Sequence, residues 1–246
     1  MDELAFLTAL HRPGTIVDVG AHDGALTVPL ARLSGARVVA FEPLPPAFAR
    51  LAAAVAGLPV VLRREALGVG PGRVALEVPV VGGIAREQWA SVAKDYAAIA
   101  ADDPRVEDVL RWDVEVVALD SLGLSDVTAM KVDAEGAEEE VLRGAEATLR
   151  RCMPVLSVEI EERHRAGSTA AVPAFLAGLG YRGFYWLDGG WRRIETFDAA
   201  SMQVASVSPA SFTASEPYVF VFAFVPEGRV GDMAGAEATF LHPPQR

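Results

Sequence analysis

Cysteine is almost missing from this chain: Cys152 stands alone, so no intramolecular disulfide is available. Histidine is sparse too, at positions 11, 22, 164 and 242, and nowhere takes the HxxxH or CxxC spacing of a structural zinc site. Basic residues are in deficit, 22 Lys+Arg against 33 Asp+Glu, and the net charge of −11 repels a phosphate backbone or an anionic membrane surface. Nucleic acid is therefore not expected as a partner. Long hydrophobic runs are also lacking. The longest, Leu51 to Leu62, is broken by Gly57 and Pro59, so no membrane span is expected. The opening Met1-Asp2-Glu3 is acidic where a signal peptide is basic, and the expectation is a cytoplasmic protein. What the chain does hold is apolar mass, 51% of 246 residues, enough for one compact domain with an elaboration. Self-association into a homo-oligomer is compatible with these numbers and is not argued by them.

Short β-branched runs alternate with Ala/Leu-rich stretches of helical length, the pattern of a mostly parallel sheet with helices on both faces. Strands are expected at Thr15–Gly20, Val38–Glu42, Val60–Leu67, Met130–Asp133 and Val155–Ile160, with two more at Tyr181–Leu187 and Tyr218–Val225, about seven in all. Helices are expected at Ala25–Ser34, Pro46–Ala56 and Ala137 to about Arg150. Residues 68–124 interrupt the alternation and read as an insertion, two strands bracketing a short helical excursion, that forms a lid or wall of an acceptor pocket. Its Trp89, Tyr96 and Trp112 offer flat faces for a sugar or planar acceptor, with core packing as the competing role. Residues 196–216 read as a loop or second cover, and 226–246 as a loosely attached tail.

The segment Asp18-Val19-Gly20-Ala21-His22-Asp23-Gly24 places glycines where a strand turns sharply into a helix and a ligand can approach the backbone. Neither the GxGxxG of a dinucleotide site nor the GK[ST] of a phosphate loop is present. Glu42 ends the second strand 24 residues after Asp18, where a carboxylate can accept hydrogen bonds from both ribose hydroxyls of a nucleoside cofactor.

The runs DVGAHDG and FEPLPPAFARL, followed far downstream by MKVDAEGAEEEVLRGA and VLSVEI, resemble the FkbM family of S-adenosylmethionine-dependent methyltransferases, in order and across more than half the chain. The resemblance implies a class I methyltransferase, Rossmann-like fold with S-adenosylmethionine as cofactor. On it, Asp18, Gly20, Ala21, His22 and Gly24 form the cofactor turn, Asp18 and Gly20 lie along the methionine part, and Glu42 grips the ribose. Pro43 and Leu44 flank the adenine, and Glu65, Ala66 and Leu67 close its far side. Residues 82–112 and everything after Leu187 match nothing in the family pattern.

Asp133 falls at the carboxyl end of the fourth strand and Glu135-Gly136 in the turn after it, the edge where open parallel sheets bind ligands. Glu159 ends the fifth strand on the same edge and joins them as a candidate. Glu138, Glu139 and Glu140 instead complement a helix N-terminus, with Arg143, Arg150 and Arg151 near its end. Acids packed this closely need a positive partner, for which Lys131, a divalent cation such as Mg²⁺ and a shared proton are the candidates. Asp133, held rigidly at a strand end, is the expected general base. His164, after the Glu161-Glu162-Arg163 run, is assigned to the surface, and Cys152 to apolar packing at a helix end. The expected reaction is O-methylation of a hydroxyl on a sugar, glycolipid or secondary metabolite. N- or carboxyl-methylation stays open, and the alternatives are a nicotinamide-dependent oxidoreductase and a non-catalytic nucleoside-binding module on the same fold.

Overall fold

In a computed structural model, which describes residues 3–206 and 213–234, the continuous apolar runs become the buried strands of an open sheet. The strands are β1 (Gly14–Val19), β2 (Ala36–Phe41), β3 (Val60–Arg63), β4 (Ala66–Leu67), β5 (Gly72–Val81), β6 (Ile84–Ala85), β7 (Val106–Val117), β8 (Val127–Val132), β9 (Val155–Glu159), β10 (Tyr181–Leu187), β11 (Gly190–Arg193) and β12 (Val221–Pro226). The helices are α1 (Glu3–Ala9), α2 (Thr27–Leu30), α3 (Pro45–Ala54), α4 (Tyr96–Asp102), α5 (Glu138–Arg143), α6 (Glu146–Cys152), α7 (Ser168–Gly178) and α8 (Ala199–Met202). Eight strands form the main sheet in the order β11-β10-β12-β9-β8-β1-β2-β3. That is one more than expected, the addition being the edge strand β11. The five strands from β9 to β3 run parallel, while β12 is antiparallel to both β9 and β10. Burial of β12 along its whole length explains its unbroken apolar run. The chain adds strands outward from β1 through β2 to β3 and then returns to the other side of β1 with β8, so the two parallel strands that carry the sequence motifs meet at the switch point where such sheets open a ligand crevice.

Two expected elements are divided by tertiary contacts. The third strand runs only to Arg63; its end, β4, pairs with β7 in a second sheet of order β4-β7-β5-β6. The helix expected from Ala137 breaks at Gly144. Asp120 donates its main-chain N–H to the Gly144 carbonyl (3.0 Å), and a side chain at Gly144 would meet the Gly68 carbonyl oxygen at 1.8 Å. The Asp120 carboxylate then accepts the N–H groups of Ala147 (2.9 Å) and Thr148 (2.7 Å), which starts α6. The helix expected over Ala25–Ser34 keeps regular α geometry only through α2.

The insertion is the expected pair of strands, β5 and β7, bracketing α4. Its inner face, with Leu76, Val78 and Val114, packs on Leu44 and Ala47 at the start of α3, which sets it over the carboxyl edge of the main sheet. Tyr96 is buried and donates its hydroxyl to the Trp89 carbonyl (2.7 Å), so this aromatic builds the insertion's own core rather than an acceptor face. Of the segment read as a tail, Pro226 ends β12, Arg229 donates to the Leu10 carbonyl (3.0 Å) and Met233 is buried in the core, so attachment persists through these positions. Residues 207–212 of the loop and 235–246 of the tail lie outside the described residues.

Loss of the α6 cap in Asp120→Ala should cost about 1–2 kcal/mol. In calorimetry this is a fall in Tm of roughly 2–8 °C for a chain of this size. An unchanged Tm would show that the Gly144 break is not held by this carboxylate.

Candidate active site

The glycine turn after β1 is drawn tightly against the turn after β8. Gly20 has φ of 71°, and a side chain there would meet the Asp133 carbonyl oxygen at 2.0 Å, so only glycine fits. The Gly20 and Ala21 N–H groups both donate to the Phe41 carbonyl (3.0 Å each), fixing the turn to the end of β2. From that end Glu42 is buried, and its two carboxylate oxygens accept the N–H of His22 (2.8 Å) and of Leu44 (2.8 Å). Burial raises its pKa and these two hydrogen bonds oppose the rise.

A cavity of about 250 Å³ opens between these turns. Among the residues proposed from sequence, Gly20, His22, Glu42, Pro43, Glu65, Ala66, Leu67, Asp133 and Glu135 line it. The others stand behind. Asp18 is buried under the turn, where its Oδ2 accepts the Thr27 hydroxyl (2.5 Å) and holds α2 in place. Ala21 is core, Gly24 abuts Leu51 of α3, and Leu44 packs into the insertion. The insertion contributes Leu76, Glu87, Gln88, Ala90 and Val92 to the cavity wall, so it reaches the same space as the glycine turn.

At one end of the cavity the carboxylates converge: oxygens of Asp133, Glu135 and Glu159 lie within 4.8 Å of one another. Lys131 supplies the first counter-charge. Its buried ammonium donates to the Gly20 carbonyl (2.6 Å) and to Asp133 Oδ2 (3.3 Å), with Asp18 Oδ1 at 3.9 Å. Burial pulls its pKa down, but the carboxylates of Asp133, Asp18, Glu3 and Glu159 outweigh that and raise it, so the charge is held. Lys94 supplies the second, donating to Glu135 Oε2 at 2.7 Å from a side chain only 9% exposed. Glu159 has neither partner, and burial beside Asp133, Glu135 and Glu161 raises its pKa well above the usual range, favouring its protonated form. Two of the three carboxylates are thus bonded to ammonium groups, and burial biases the third toward its protonated form. The two ammonium groups already supply the positive charge that Mg²⁺ would bring, so the cluster does not call for a divalent cation.

Three participants escaped the sequence reading. Lys94 lies 41 positions from Glu135, and nothing in its neighbourhood announces the pairing. His164, assigned to the surface, is buried, with Nε2 at 3.2 Å from both Glu135 Oε2 and Glu161 Oε1. Burial, with Lys94 and Arg163 close by, pushes its pKa down, so the ring is neutral. Glu161 is clasped by Arg163 through two contacts of 2.7 Å and accepts the Tyr218 hydroxyl. The detectable signal was His164's position just past β9, on the edge Glu159 occupies. Glu138 does more than complement a dipole: its Oε1 accepts the N–H groups of Ala134 (3.1 Å) and Gly136 (2.9 Å), bracing the turn that carries Glu135.

The sheet order, the switch-point cavity and the acid at the end of β2 define a class I methyltransferase fold. A solved structure, the methyltransferase FkbM from Methylobacillus flagellatus KT, aligns at a TM-score of 0.53 and 15% identity, covering 87% of this chain and 45% of that one. The chain therefore spans less than half the length of that protein. Also similar are an O-methyltransferase from Bacillus cereus in complex with SAH (TM-score 0.45, 14% identity, 90% of this chain and 78% of that one) and an rRNA methylase from Streptococcus thermophilus (0.46, 12%, 91% and 92%). No match is found among curated proteins. The family model for the methyltransferase FkbM domain matches residues 18–182, and the chain belongs to that family. Among the described residues no helix is long and apolar enough to cross a membrane.

Lys131→Met leaves Asp18 and Asp133 without their shared cation. Removing one partner of a buried ion pair costs about 3–5 kcal/mol, so the urea midpoint should fall steeply. A variant as stable as the parent would remove Lys131 from the centre of this account.

Proposed function

We propose that the cavity binds S-adenosylmethionine and that the protein transfers its methyl group to a hydroxyl of a sugar, glycolipid or secondary metabolite. The observation that carries this is Glu42: both of its oxygens are pinned by main-chain N–H groups in the cavity wall, which leaves their remaining lone pairs for the two ribose hydroxyls. Gly20 and His22 border the methionine end, and Pro43, Glu65, Ala66 and Leu67 the adenine end. Membership of a methyltransferase family sets the nicotinamide alternative aside, and the lining carboxylates argue against a non-catalytic module.

The cofactor brings an activated methyl group on a sulfonium, so the chain has to align an acceptor oxygen and take its proton. Asp133, the base expected from sequence, is engaged by Lys131 at 3.3 Å. Glu135 lines the same cavity, and burial pushes its pKa up to about 7, against the pull of Lys94. A base poised near the working pH is the effective one, and we assign Glu135 that role, with Asp133 and Glu159 completing the cluster. The net charge of −11 disfavours RNA as acceptor, and the acids suit a neutral hydroxyl.

In calorimetry with S-adenosylhomocysteine, Glu42→Ala should lose about 1–3 kcal/mol of binding. Equal affinity in the two proteins would take Glu42 out of the cofactor site. In a screen of hydroxylated acceptors scored by the added mass of one methylene, Glu135→Gln should lower turnover by roughly 10²–10⁴-fold with cofactor affinity unchanged. Full activity in that variant would return the base role to Asp133.

A further inference from the structure

We propose that Lys94, carried by the insertion, is a positioning residue that keeps Glu135 ionised and aimed into the cavity, which makes the insertion wall part of the reactive turn. The inference rests on the reading of Glu135 as proton acceptor and adds what readies it.

Three successive contacts from one short insertion segment converge on Glu135-Gly136. The buried Ser91 hydroxyl donates to the Glu135 carbonyl (2.7 Å), and its oxygen also accepts the N–H groups of Ala93 (3.0 Å) and Lys94 (3.1 Å). Ala93 lies so close to Gly136 that a side chain there would meet its Cβ at 3.2 Å. Lys94 then donates to Glu135 Oε2 at 2.7 Å. These contacts hold a left-handed backbone at a residue with a side chain: Glu135 sits at φ 51°, and Gly136 follows at φ 108°, which glycine adopts freely. The segment is in turn anchored at its start, where Ser91 and Glu77 of β5 exchange main-chain hydrogen bonds (2.9 Å each).

Charge makes the arrangement directional. Glu135 faces acids on two sides, Asp133 of its own turn and Glu159 at the end of β9, and the charge of Asp133 favours its protonated form. From the stretch after β9, Arg163 attracts it, Glu161 lies on the far side of the neutral His164, and Tyr218 adds a hydroxyl bonded to Glu161. The insertion brings Lys94 and, beneath it, the buried Tyr96. Lys94 is the cation in direct contact with the Glu135 carboxylate, so it outweighs Arg163 in opposing burial and the Asp133 charge. A wall that lifted would withdraw that ammonium, and Glu135 would take up a proton before any acceptor could deliver one.

The test needs no acceptor. Full-length protein labelled with ¹³C at the glutamate carboxyl carbon, saturated with S-adenosylhomocysteine, is titrated by NMR, and the Glu135 resonance is assigned by its loss in Glu135→Gln. The parent should titrate near pH 7. Lys94→Met should raise that midpoint by about one unit or more, because the opposing charge is gone, and Lys94→Arg should restore it. Should Lys94→Met fail to fold, Lys94→Gln keeps a hydrogen-bond donor while removing the charge, and the same rise is expected. A midpoint unmoved in the uncharged variants, or equally raised in Lys94→Arg, overturns the proposal. Normal turnover in Glu135→Gln would instead defeat the base assignment, and the titration is read independently of it.

Discussion

The buried ammonium of Lys131 is the point on which the site is built. It lies between β1 and β8, donates to the Gly20 carbonyl and to Asp133, and keeps Asp18 within reach. With the near-contact of Gly20 and the Asp133 carbonyl, it fixes the separation of the two turns that border the cavity. A neutral residue there would leave several carboxylates facing one another in a poorly solvated space. A chain with net charge −11 can gather acids at one edge only because that edge also holds buried cations.

The same logic repeats outward. Asp18 holds α2 through Thr27, Glu42 holds the glycine turn and the start of α3 through two N–H groups, and Glu138 holds the turn after β8 through two more. Glu42 and Glu138 brace backbone directly and Asp18 through a side-chain hydroxyl, each with one part of its hydrogen-bonding capacity. Glu42 and Glu135 differ from Asp18 and Glu138 in also lining the cavity, and this is what marks them for the binding and proton-accepting roles proposed for them.

Much of this was legible in the sequence, for local reasons. The glycine turn, the acid 24 residues on and the two strand-end acids follow from strand-turn-helix periodicity and from the rule that ligands sit at the carboxyl edge of a parallel sheet. That periodicity also carried the succession of strands, and the insertion's two strands with a helix between them. What was hidden depends on chain crossings. Helix α6 starts afresh because the Gly68 backbone passes against Gly144, and β4 leaves the main sheet to pair with β7. The Lys94–Glu135 contact exists because the insertion folds back over the edge, and His164 is buried because residues 161–164 turn inward beneath it. Assigning the base to Asp133 followed from strand-end rigidity; Lys131 was already a candidate partner of the acids, and what stayed hidden was that a second lysine, Lys94, engages Glu135.

The central claim, that the Lys131-locked turns and Glu42 form one cofactor site, is met most directly by a crystal structure with S-adenosylhomocysteine. The account predicts adenosine in the cavity beside Pro43, both ribose hydroxyls on the Glu42 carboxylate, and the sulfur directed toward the Asp133–Glu135 turn. Adenosine bound elsewhere, or lying in the cavity with Glu42 making no bond to it, would contradict it.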